Sequence, residues 1–65
     1  MKTLEIRRIF GGNCILSGVY DPPVKVDSVN DLKASLRECG VTEPRIHQAL
    51  IELKDSRHLR IVLQR

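Results

Sequence analysis

The chain has 65 residues, with 11 Lys or Arg against 8 Asp or Glu, a formal net charge of +3 and a pI near 9.2. That length gives one small domain, residues 1–65, with little surface to bury, and the charge is a mild bias towards anionic partners, well short of a polybasic tail. One Phe, one Tyr and no Trp leave the core to Leu, Ile and Val; no apolar run reaches membrane-spanning length and no signal-peptide pattern opens the chain, so a cytoplasmic location without membrane partners is expected.

"TLEIRRIF" sets Leu4, Ile6 and Phe10 in alternation, with Arg8 as the exception, and its β-branched and aromatic content predicts a strand. Gly11, Gly12 and Asn13 accept the positive φ of a tight turn. "CILSGVY", Cys14 to Tyr20, predicts a second strand that closes a hairpin, and Gly18 within it marks a bulge or the close approach of another backbone. Asp21, Pro22 and Pro23 stop this strand, because proline lacks a donor and restricts the residue before it. "VKV" is at most a short extended piece.

Ser28 with Asp31 three residues on resembles a capping box, with Asp in place of Glu. Val29, Leu32, Leu36 and Cys39 then fall at helical spacing. Gly40 suits the left-handed position that ends a helix, and Val41 beyond it can fold back on the last turn. Thr42 suits an N-cap and Pro44 is tolerated in a first turn. Ile46, Ala49, Leu50 and Leu53 make an apolar stripe; Arg45, Gln48, Glu52 and Asp55 lie opposite, with His47, Ile51 and Lys54 on the flank. This helix should end near Ser56. In "HLRIVLQ", Leu59, Ile61 and Leu63 share one face of a last strand and Arg60, Val62 and Gln64 the other.

These elements predict an α+β fold of order β-β-α-α-β, a three-stranded antiparallel sheet with two helices packed on one face. Leu4, Ile6, Leu16, Leu59, Ile61 and Leu63 should form the covered side. A core of this size would gain from a homodimer interface.

"GVTEPRIHQALIEL" followed by "HLRIVL" resembles, over about residues 32–63, the helix-turn-helix half of winged-helix DNA-binding regulators. In that family a Gly-Val-Ser/Thr turn, here Gly40, Val41 and Thr42, leads into a recognition helix, and a strand follows. The resemblance implies that Thr42, Glu43, Arg45 and Gln48 face the major groove, where Arg and Gln read guanine and adenine edges. The chain departs from the pattern at Leu36, where a small residue is usual. Its hairpin precedes the helices instead of following them, and the opening helix of that domain is missing.

Cys14, Cys39, His47 and His58 lack the close Cys and His pairs of zinc sites, so no metal or other cofactor is expected. No nucleophile, base and orienting group share a pattern, and a one-layer core leaves little room for a catalytic pocket, so no catalytic residues are assigned. Both cysteines are expected to be reduced and structural. Arg7 and Arg8 could form a basic patch with Arg60; the plainer reading is a solvated sheet face, or an edge protected by charge against aggregation. No aromatics interleave with them to stack bases. The sequence therefore favours a small non-enzymatic binding protein. Its first reading is a nucleic-acid-binding regulator using the 42–54 helix and basic strand residues: Thr42, Arg45, His47, Gln48, Arg7, Arg8 and Arg60. The alternative is a protein-interaction module, such as a phage- or plasmid-type inhibitor or adaptor, in which Ile51, Val62 or the sheet face meets a protein partner.

Overall fold

The computed structural model describes residues 2–63, apart from the side chain of Phe10. The expectations for Phe10 as a core-facing residue and for Gln64 as an outward one lie outside the described residues. The elements in chain order are strands β1 (Lys2–Arg8), β2 (Cys14–Ser17) and β3 (Val24–Val26), helices α1 (Val29–Glu38) and α2 (Glu43–Asp55), and strand β4 (His58–Leu63). The fold is α+β with an antiparallel sheet, but the sheet has four strands, not three, in the spatial order β3-β2-β1-β4. The missed strand is the "VKV" piece. Three residues are too few to show a period, and what makes them a strand is the pairing of Val24, Lys25 and Val26 with Leu16, Ile15 and Cys14.

β1 and β2 form the expected hairpin. Their connection is a 3-10 turn, Phe10–Gly12, with φ near +81° at Gly11 and Gly12 and the Ile9 N–H donating to the Asn13 carbonyl at 2.8 Å. Asn13 itself stays extended at φ −75°. β2 ends at Ser17, three residues earlier than the pattern suggested. The reason is Gly18: at φ +90° its backbone runs so close to β1 that an added Cβ would collide with the Thr3 carbonyl. Gly18 is thus the close-approach glycine anticipated above.

Both helices are bounded by local chemistry. Ser28 Oγ accepts from the Asp31 N–H at 3.1 Å, completing one arm of the capping box. At the other end, the Gly40 N–H donates to Arg37 O and the Val41 N–H to Leu36 O, both at 3.0 Å. These are the two bonds of a Schellman motif, with Gly40 at φ +87° and Val41 folded into the core. α2 starts after Thr42, whose carbonyl accepts from the Ile46 N–H at 2.9 Å. The Thr42 hydroxyl makes no capping bond, contrary to expectation; Pro44 has removed one of the two amides it could have reached. Arg37 Nε and Nη2 instead bridge the turn to Glu43 at 2.7 and 2.9 Å. That hydrogen bond holds the Glu43 carboxyl below the usual carboxylate range.

The core is one layer of Leu, Ile and Val between sheet and helices. Leu4, Ile6, Leu16 and Leu36 are fully buried, joined by Cys14, Val26, Leu32, Val41, Ile46, Ala49, Leu53, Leu59 and Ile61. Leu63 and Leu50, expected in this layer, are half-buried at its margin. Val29, read as part of the buried stripe of α1, is 56% exposed; it is the first residue of that helix and stands at the rim of a surface groove. Both cysteines are free thiols, with Cys14 buried; burial pushes the Cys14 thiol up from its ordinary value, against the opposing pull of Arg8.

Tyr20 ties the loop after β2 to α1. Its hydroxyl lies 3.5 Å from the Ser35 carbonyl and 3.4 Å from Cys39 Sγ. Burial, and then the hydrogen bond to Cys39, push its pKa up to about 12. The fold thus favours the neutral phenol. Its contribution to stability is fully present below the unfolded pKa of about 10 and is lost as pH rises from there towards 12. Tyr20 is the sole tyrosine, so phenolate absorbance reads it directly. We expect its titration near 12 in the folded chain and near 10 in denaturant; a folded midpoint at 10 would refute this environment.

Candidate interaction surfaces

The register divides the sheet into two faces. Leu4, Ile6, Leu16, Val26, Leu59 and Ile61 point to the helices. Thr3, Glu5, Arg7, Ile15, Ser17, Lys25, His58, Arg60 and Val62 share the uncovered face. Glu5 sits at its centre, with Oε1 3.2 Å from His58 Nε2 and 3.6 Å from Arg60 Nε. Lys25 lies 3.8 Å from Asp27. Exposed pairs of this kind stabilise the fold little, but they break up the positive potential of the face. The exposed Val62 lies at its margin, cross-strand from Thr3.

The residues anticipated for nucleic-acid contact fall on three surfaces. Arg7 and Arg60 are on the uncovered sheet face. Arg8, one residue on, points the other way, and its guanidinium donates to the Lys54 carbonyl at the end of α2 (3.4 Å). Thr42, Arg45 and Gln48 lie along α2. Thr42 and Gln48 are exposed, whereas the Arg45 guanidinium is engaged by Glu52 at 2.8 Å. His47 is exposed on the opposite flank of α2, beside α1. The fold therefore brings Arg8 and His47 to one groove and Arg7 and Arg60 to one sheet face, and does not gather the seven into a continuous basic strip.

Arg8 and His47 share a groove on the helical side. It runs between α1, α2 and the end of the β1–β2 hairpin and encloses about 430 Å³. Cys14, Leu50 and Leu53 form its apolar floor, and Val29 and Ile51 stand at its rims, 56% and 49% exposed. Arg8, Lys33 and Lys54 supply three formal positive charges, and no carboxylate among the described residues lines it. A second cleft continues it past Lys33, His47 and Leu50 towards Pro44 and the Arg37–Glu43 pair. Sequence reasoning missed Lys33 and read Val29 as core. The usable signal was the i, i+4 spacing of Val29 and Lys33, which repeats the flank formed by His47, Ile51 and Lys54 on α2.

Among the described residues no group of three or more His, Cys, Asp or Glu is close enough to hold a metal ion, and no helix is long and apolar enough to cross a membrane. No family model matches the chain, and no curated protein and no solved structure gives a significant match.

Proposed function

We propose that this chain is a small non-enzymatic binding protein whose partner is another protein, held in the α1–α2 groove. The observation that carries the reading is an apolar floor with exposed Val29 and Ile51, ringed by Arg8, Lys33 and Lys54 and, among the described residues, lined by no acid. Apolar side chains left exposed around a concave surface favour a partner that buries them. The charges select the partner's chemistry, an amphipathic segment with acidic flanks, through attraction that also speeds encounter. A helix offering apolar residues at i, i+3, i+4 and i+7 is the natural occupant of a groove between two helices.

A nucleic-acid reading draws support from the same three cations, since phosphates also seek basic grooves. It explains neither the apolar floor nor the engagement of Arg45 by Glu52.

The probe is a synthetic helical peptide with Leu at those spacings and Glu on its other positions, titrated into the isotope-labelled chain. Amide shifts should cluster at Val29, Lys33, His47, Leu50 and Ile51. Ile51→Asp should weaken binding at least tenfold, a loss of about 1.4 kcal/mol. Equal binding of a control peptide with Lys for Glu, or shifts that miss the groove, would reject the reading. A gel shift with mixed duplexes at low salt tests the other one. Retardation by tens of micromolar protein, within the non-specific range of roughly 10⁻⁴–10⁻⁶ M, would favour nucleic acid; its absence would retire that reading.

A further inference from the structure

Two arginines face each other where the sheet meets the β1–β2 turn. The Arg8 N–H donates to Arg57 O at 2.7 Å, one step beyond the Arg7–His58 pair of the β1–β4 register, so the two residues lie cross-strand. Like charges in that relation destabilise a sheet. Three other arginines are neutralised: Arg37, Arg45 and Arg60 each have a glutamate oxygen within 3.6 Å. Among the described residues no carboxylate comes within ion-pairing distance of Arg8 or Arg57.

Both arginines line one cleft. It encloses about 330 Å³, and its walls are Arg8, Ile9, Gly11, Gly12 and Arg57, so among the described residues no acid lines it either. Gly11 and Gly12 put no side chain into it. The space beside Gly12 is open, since a Cβ added there would meet no atom within 4 Å. Bare backbone of this kind admits the close approach of a ligand. Arg8 is half-buried and steadied by its 3.4 Å contact with the Lys54 carbonyl, which leaves most of its five guanidinium donors free. Arg57 is exposed and reaches the cleft from the opposite strand.

We propose that Arg8 and Arg57 form a binding site for a phosphate group, either inorganic phosphate or a phosphate monoester. Two formal positive charges match a group that carries about −1.5 to −2 at pH 7, and guanidinium forks bond phosphate oxygens in pairs. A phosphodiester or a carboxylate has a single negative charge, offsets only one of the two arginines and is the poorer ligand. The bound anion turns a repulsive cross-strand pair into a bridged one. The site is distinct from the protein-binding groove. The two clefts share Arg8 and Gly12, but Arg57 does not line the groove.

The probe is inorganic phosphate, titrated into the isotope-labelled full chain at neutral pH and constant ionic strength, with a matched chloride series. The amides of Gly11 and Gly12 and the Nε–H groups of Arg8 and Arg57 should shift together and saturate in the millimolar range. Arg57→Gln removes one charge but keeps the backbone carbonyl that Arg8 bonds. It should fold as the parent does by circular dichroism and bind phosphate at least tenfold more weakly. Arg7→Gln removes an equal charge from the uncovered sheet face and should leave phosphate binding within about twofold, because screening at that ionic strength mutes distant charges. Glycerol phosphate, a monoester, should compete with phosphate, and dimethyl phosphate, a diester of single charge, should not. Tighter binding of the monoester assigns the site to an esterified ligand and the reverse to the free ion; either supports the site. Shifts that chloride reproduces or that do not saturate, equal losses in the two variants, or equal binding of dimethyl phosphate would overturn the proposal and leave an adventitious ion only. None of these readouts uses the peptide probe of the groove, so the two readings fail separately.

Discussion

Gly18→Ala should be the most damaging single substitution tested in this chain. Two independent costs coincide there. The backbone sits at φ +90°, where an L side chain is strained, and the new Cβ would overlap the Thr3 carbonyl of the neighbouring strand. Residues held in such regions cost about 1–3 kcal/mol before any collision, and the obstacle is backbone, not a side chain that can swing aside. A domain of this length has roughly 3–10 kcal/mol of stability in total. We therefore expect a loss above about 3 kcal/mol, read as a large unfolded fraction by circular dichroism at room temperature. A denaturant midpoint within error of the parent would show that the Gly18 approach is not as tight as described.

Leu36→Ala should rank second, at about 2–5 kcal/mol in urea unfolding. Leu36 is fully buried and holds α1 on the sheet, and its carbonyl accepts the Val41 amide that closes the helix. Truncation removes buried methyl groups and leaves a cavity that the helix cannot readily fill. Ile61→Ala should fall in the same range, since Ile61 is buried in the strand beneath. Leu50→Ala makes the internal control. Leu50 is half-buried at the groove, so its truncation should cost clearly less than that of Leu36. Equal losses at the two positions would contradict the placement of Leu50 at the margin of the core.

Much of this architecture is legible in the sequence because it rests on local rules. The hairpin follows from alternation around two glycines, α1 from Ser28 and Gly40 at its ends, and the burial of Leu59 and Ile61 from the period of β4. What escaped depends on distant parts of the chain. "VKV" has too few residues to reveal a period and becomes a strand only because β2 offers an edge. Val29 has the right spacing to be core, yet at the first position of its helix it stands exposed at the rim of the groove. The surfaces were harder still. Arg7 and Arg8 are neighbours in sequence and point to opposite sides of the sheet, so adjacency suggested a patch that alternation forbids. Arg45 and Glu52 share a face of α2 in the sequence pattern, two helical turns apart, but their bond shows only in the structure.

The spatial order β3-β2-β1-β4 sets the first strand between the second and the fourth. During synthesis β1 emerges before the other strands and can pair early with β2, but its second flank must wait until β4 leaves the ribosome. For that interval Leu4 and Ile6 belong to an unfinished sheet, with an open backbone row beside them. Assembly of this domain is therefore completed after translation of β4 and not progressively behind the moving chain. Pauses in translation within α2 would prolong the one stage at which the central strand is open to the wrong partner.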